Sequence, residues 1–149
     1  MKRIAELRDL SDDHHTALVL AQRCREASAS GAAGLWQRVR EAFRLELEPH
    51  FQIEDRHLLP ALEAIGESDR ARRIRDDHAA LREIAANDAP AVGEIARFGD
   101  LLASHVRFEE REVFERTQHR LPRAALDAIA AACRAMRTPA PSREAPPAR

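Results

Sequence analysis

Apolar residues recur along this chain every three or four positions and almost nowhere every second one, a spacing that predicts amphipathic helices and no strands. The first run places Leu10, His14, Ala17, Leu18, Ala21 and Cys24 on one face, with Ser11 as its N-cap and Asp12 and Asp13 in its first turn. Gly31 and Gly34 end that segment. A second helix is predicted from near Leu35 to Ile65, with Gly66 as the residue just past its end. Its face reads Phe43, Leu47, His50, Glu54, Leu58, Ala61, Ile65. A third covers Ser68 to Ala86, with Ala71, Ile74, His78, Leu81 and Ala85 aligned, and the turn Asn87-Asp88-Ala89-Pro90 closes it. The fourth shows Phe98, Leu102, His105, Glu109 and Val113. A short fifth starts at Leu121-Pro122, with Pro in its first turn, and aligns Leu121, Leu126, Ile129, Cys133 and Met136. Four long helices on short connections predict an all-α, antiparallel up-down-up-down four-helix bundle, with the fifth helix added at its C-terminus. The domain then spans residues 1–137. Residues 138–149 hold four of the eight prolines and read as a disordered tail.

Composition narrows the class. Within 149 residues, 24 Lys+Arg nearly balance 25 Asp+Glu, so there is no basic footprint for nucleic acid. No apolar run approaches the roughly 18 to 20 residues that span a bilayer, and the first ten residues lack the apolar stretch of a secretory signal. Two cysteines, Cys24 and Cys133, are too few for a disulfide framework or a cysteine-rich zinc site, which fits a reducing, cytoplasmic compartment. Aromatics are only 4% of the chain and Tyr is absent, so no tyrosyl radical or tyrosinate ligand takes part in its chemistry. His, by contrast, occurs seven times.

The histidines change the picture because of where they fall. Each of the four long faces carries one near its middle, and two carry a Glu one turn later, as His50-x-x-x-Glu54 and His105-x-x-x-Glu109. At i, i+4 both side chains leave one side of a helix about one turn apart. Two such pairs facing a common core, joined by His14 and His78, deliver four imidazoles and two carboxylates to one volume. Mixed nitrogen and oxygen donors suit Fe, Mn or Zn rather than Ca or Mg, and two carboxylates among four imidazoles can bridge two metals. One His-x-x-x-Glu pair has little weight, since roughly 0.7 are expected by chance. Repetition adds the weight: Asp12-Asp13-His14 recurs as Asp76-Asp77-His78, and His50-Phe-Gln-Ile-Glu54-Asp-Arg as His105-Val-Arg-Phe-Glu109-Glu-Arg. The chain reads as two helical hairpins related by a pseudo-two-fold axis, with the site between them. A single core His usually just bonds a carbonyl or carboxylate, but two buried Glu are costly without partners. His15, His57 and His119 read as peripheral. Asp55 and Glu110 read as exposed or as standing behind the site, and Asp13 and Asp77 as first-turn acids that could orient a neighbour. Pro49, inside the second helix and just before His50, predicts a kink there.

Leu-Ser-Asp-Asp-His-His-Thr-Ala-Leu, Glu-Pro-His-Phe-Gln-Ile-Glu-Asp, Asp-Asp-His-Ala-Ala-Leu and His-Val-Arg-Phe-Glu-Glu-Arg, in this order and register, resemble the hemerythrin-like (HHE cation-binding) family over about residues 8 to 120. The resemblance implies a bundle with a non-haem di-iron centre in its middle. It makes His14, His50, Glu54, His78, His105 and Glu109 the metal ligands, with both Glu bridging two Fe ions. Zn or Mn are the alternative metals. Ferritin-like proteins use Glu-x-x-His instead, which does not occur in this arrangement here. One position departs from the oxygen carriers of the family: a further His one turn before the third-helix ligand is replaced by Ile74. Water, hydroxide or a further side chain would have to complete the set, with Glu110 and His57 the nearest side chains.

The resemblance thus implies a protein that binds or senses iron, dioxygen, peroxide or nitric oxide, more a binding protein than an enzyme. A di-iron enzyme consuming peroxide or O2, and an interaction module held together by a structural metal, are the other two readings. The expected partner is a small ligand, with no nucleic acid and no membrane, and the chain is expected as a monomer or homodimer. Because the imidazoles must be neutral to bind metal, ordinary His values predict metal loss through about pH 5 to 6.

Overall fold

The computed structural model describes residues 2–137, so the proline-rich segment 138–149 lies outside the described residues. Five helices follow in order: α1 (Ala5–Arg25), α2 (residues 32–64), α3 (Ser68–Ala86), α4 (residues 92–117) and α5 (Arg123–Arg137). No strand occurs among the described residues.

Cross-helix contacts fix the topology. From Arg3 to Glu110, His14 to Glu109 and Ala21 to Gly99, α1 runs antiparallel to α4. Pairs from Glu63–Arg75 through Asp55–His78 to Trp36–Asn87 set α2 antiparallel to α3. Arg70 with Glu112 and Asp77 with His105 do the same for α3 and α4. This is the up-down-up-down bundle expected from the sequence. Its apolar interior is divided in two. One cluster, with Trp36, Phe43, Phe51 and Phe98, fills the end where α1 finishes. The other, with Leu7, Leu10, Leu58, Ile74 and Phe114, fills the opposite end and includes Ile129 and Cys133 of α5. A polar layer lies between them.

Three local details depart from the sequence expectation. α1 begins at Ala5, six residues before Ser11, which lies inside the helix and accepts a bond from the Arg3 guanidinium. Burying Leu7 and Leu10 extends the helix backwards, and Gln118, just past α4, does the capping by accepting from the Ile4 N–H. α2 begins at Ala32, so Gly34 sits in its first turn rather than in the loop. Pro49 neither breaks α2 nor stands alone. A wide turn at Phe43–Leu47 precedes it, closed by the Glu48 N–H on the Phe43 carbonyl, and a second at Glu54–Leu58 precedes Pro60. These i→i−5 turns give the ring room that an α-helical turn denies it. At the end of α2 the expectation holds. Gly66 takes φ 84°, and the Glu67 and Gly66 N–H groups close back on the Leu62 and Glu63 carbonyls.

Candidate metal centre

The six residues singled out by the repeats come together midway along the bundle, and none is more than 4% exposed. α1 supplies His14, α2 His50 and Glu54, α3 His78, and α4 His105 and Glu109. They form two overlapping quartets, His14, His50, Glu54, Glu109 and Glu54, His78, His105, Glu109, each with its donor atoms within 4.8 Å of one another. The two Glu belong to both. Glu109 turns Oε2 toward His14 Nε2 at 3.1 Å and Oε1 toward His105 Nε2 at 2.8 Å. Glu54 Oε1 lies 3.3 Å from His50 Nε2 and 3.2 Å from His78 Nε2. In both halves a wide helical turn starts on the Glu, at Glu54–Leu58 and Glu109–Phe114. Only the first precedes a proline, so the turn goes with the carboxylate and not with Pro60 alone. Such turns gather at functional sites.

The chemistry of these donors is unusual for a protein interior. All four Nε2 atoms and all four carboxylate oxygens are buried with no hydrogen-bond partner, and Arg3 Nη1 is the only other such side-chain atom among the described residues. Leaving one buried polar group unsatisfied costs about 1–3 kcal/mol, more if charged, so eight at one point call for cations to fill the space between them. Four imidazoles and two carboxylates within these distances suit transition-metal ions.

The imidazoles are held from behind. Each Nδ1 donates to a carboxylate on a neighbouring helix: His14 to Glu110 at 2.7 Å, His50 to Asp13 at 3.0 Å, His78 to Asp55 at 2.7 Å and His105 to Asp77 at 3.1 Å. That bond fixes the proton on Nδ1 and leaves the Nε2 lone pair facing inward, the arrangement a metal-binding His needs. Each carboxylate in turn meets an arginine: Glu110 meets Arg3, Asp13 meets Arg137, Asp55 meets Arg82 and Asp77 meets Arg73. Phe114 stacks on His14 and Phe51 on His78.

Without an ion the carboxylate charges act on the rings. Burial alone would push His50 and His105 down. The Glu54 charge on His50 and the Glu109 charge on His105, with the bonds to Asp13 and Asp77, override it and hold both at about 10. His14 and His78 are raised for the same reasons. Burial pushes Glu110 up, but its bond to His14, with Ser11 and Arg3 nearby, takes it down to about 2.

The remaining candidates stand elsewhere. His15 and His119 are exposed, and His57 lies in a shallow surface cleft with Pro49 and Arg56. Neither side chain expected to complete the set does so. Glu110 is engaged with His14 Nδ1, on the far side of the ring, and His57 is outside both quartets. Ile74 is fully buried in the apolar cluster beside the centre. Of the readings open for the four acids, a place behind the site for Asp55 and Glu110 and an orienting role for Asp13 and Asp77 are the ones that fit. Their signal was the repeat itself, which sets Asp before the His of α1 and α3 and an acid after the Glu of α2 and α4. The arginines carry no such signal.

No curated protein and no solved structure matches this chain. A family profile described as hemerythrin HHE cation binding domain matches residues 5–117, which takes in all four long helices and all six central residues. The chain therefore belongs to the hemerythrin HHE cation-binding domain family.

Proposed function

We propose that this protein is a non-haem di-iron protein that binds or senses a small ligand such as dioxygen, peroxide or nitric oxide. The eight orphaned, inward-facing donor atoms of four His and two Glu carry the reading. His14 and His50 would hold one ion, His78 and His105 the other, and Glu54 and Glu109 would bridge them. Iron bound there supplies electrons to an oxygen or nitrogen ligand. The chain's own part is to aim four Nε2 atoms inward, through the Asp and Glu acceptors on Nδ1. The two apolar clusters close the polar layer off from both ends of the bundle. Buried, unpaired Cys24 and Cys133, each pushed up to about 11 by burial, accord with a reducing, cytoplasmic setting and with inert thiols. Among the described residues no helix is long and apolar enough to cross a membrane.

Metal analysis of anaerobically purified protein, with optical spectra before and after air, tests this. About two irons per chain and iron(III) bands that develop in air are expected. A colourless, redox-silent protein that contains zinc and unfolds on chelation would instead make the metal structural. A fully folded chain that takes up no metal would overturn the reading.

A further inference from the structure

Among the described residues three large apolar side chains are exposed, Val19 (44%), Leu45 (54%) and Met136 (36%). They come from three different helices, yet all three line the same cavity, whose volume is about 590 Å³. It opens between α1, α2 and the end of α5, and its inner wall includes His14, His50 and His105. Scattered surface leucines need no explanation, but convergence of every large exposed apolar residue on one concavity does.

Size decides what the cavity can be for. A water or a diatomic molecule needs about 30 Å³, whereas pockets of roughly 300 to 1,000 Å³ hold small organic molecules. The space is therefore far larger than a passage for a diatomic ligand requires. Charge narrows the class. Of the charged residues on its wall, Asp13 and Arg137 are bonded to each other. That leaves Arg23 and Arg38, with no ion pair among the described residues, against the single acid Glu46. Arg23 lies nine residues beyond His14 and Arg38 twelve before His50. At 1.5 Å per residue, these cations stand about 13 and 18 Å along their helices from the imidazoles. The wall between is apolar, with Leu20, Leu45 and Leu47.

We infer that this cavity binds an amphipathic organic anion, a medium-chain carboxylate, with its head on Arg23 and Arg38 and its chain running over Val19, Leu45 and Met136 toward His50. The ligand's chain end then reaches the inner wall beside the centre. Binding itself stands on the cavity alone, while an influence of the ligand on the centre rests on the metal-binding reading above.

Calorimetric titration of the full chain with decanoate, below its micelle concentration, tests the site, with decanol as the uncharged comparison and metal content measured on the same samples. One saturable site per chain is expected. The Leu45→Gln, Met136→Gln double variant should bind decanoate at least about tenfold more weakly. Both positions are exposed, so folding is not at stake, and circular dichroism checks it. The Arg23→Gln, Arg38→Gln double variant should weaken decanoate about fivefold or more and leave decanol unchanged. If metal is present, the optical spectrum of the loaded protein should shift as the site saturates. No saturable binding to metal-containing protein would overturn the inference while leaving the metal reading intact. Saturable binding to a chain that takes up no metal would support the cavity and count against the metal reading. Equal affinity in wild type and both variants would overturn it. A dimeric wild type whose dimer is lost in Leu45→Gln would also overturn it, by assigning the apolar mouth to a second copy.

Discussion

An imidazole becomes a metal donor through what bonds its far side. Each of the four central His finds a carboxylate on Nδ1, and each carboxylate finds an arginine, but the arginines arrive by unrelated routes. Arg73 sits one turn before Asp77 on α3, whereas the equivalent residue on α1 is Asp9. There Arg137 of α5 bonds both Asp9 and Asp13. Arg82 reaches Asp55 from α3, and its counterpart on α1 is Leu18, while Arg3 reaches Glu110 from before α1. The repeats made the six central residues legible because both halves use the same spacing. They could not reveal the arginines, which occupy non-equivalent positions and depend on which helices become neighbours. Loss of an acceptor on a metal-binding His typically costs 10–100-fold in affinity. We expect Asp55→Ala and Glu110→Ala each to weaken metal binding by about that factor, measured by competition with a chromogenic chelator. Both side chains are partly exposed, so the fold should survive. Unchanged affinity would reduce them to surface acids. Arg82→Gln should weaken binding less, by about threefold or less, because its pair with Asp55 is partly solvated.

At the scale of whole helices, periodicity was enough to find all five and their order, because one face of each is buried over several turns. It failed at the starts of α1 and α2. Ser11 has the chemistry of an N-cap, yet α1 runs through it, since the buried Leu7 lies one turn further back and Gln118, just past α4, supplies the cap. The wide turns in α2 and α4 were equally unreadable, because only one of those on a Glu precedes a proline. A close approach between α1 and α4 was hidden too. A Cβ placed on Gly99 would stand 2.5 Å from the Ala21 carbonyl oxygen and 2.9 Å from Cys24 Cβ. Helix propensity alone favours Ala over Gly by about 1 kcal/mol. Overpacking costs about 1–3 kcal/mol, and here backbone must move, so the clash wins. Gly99→Ala should therefore lower Tm, by several degrees for a domain of this size. Gly93→Ala, on the first turn of α4 with open space around it, should hold or raise Tm. Thermal unfolding of the two variants side by side checks the sign, and a stabilised Gly99→Ala would mean that the helices are further apart.

For the molecule as a whole, folding and metal binding compete for the same protons. In the metal-free chain His50 and His105 are raised to about 10 from an ordinary 6.5. Their contribution to stability is then fully present below pH 6.5 and fades as pH rises through about 10. Glu110 works in the opposite sense: lowered to about 2, it contributes above pH 4.5 and is lost as pH falls toward 2. The metal-free bundle is thus helped by both between about pH 4.5 and 6.5. Metal needs the imidazoles neutral, so loading must expel those protons, about two per chain from His50 and His105 alone. This moves the competition upward from the pH 5 to 6 expected of ordinary histidines, since affinity should keep rising with pH to about 10. Two measurements follow from one cause. Adding metal to metal-free protein at pH 7.5 in weak buffer should acidify the solution. The Tm difference between loaded and metal-free protein should widen steadily from pH 6 to pH 9, because the loaded state gains affinity as the metal-free state loses its ion pairs. A pH-independent Tm difference, with no proton release, would mean that the metal-free centre carries no proton for the metal to displace.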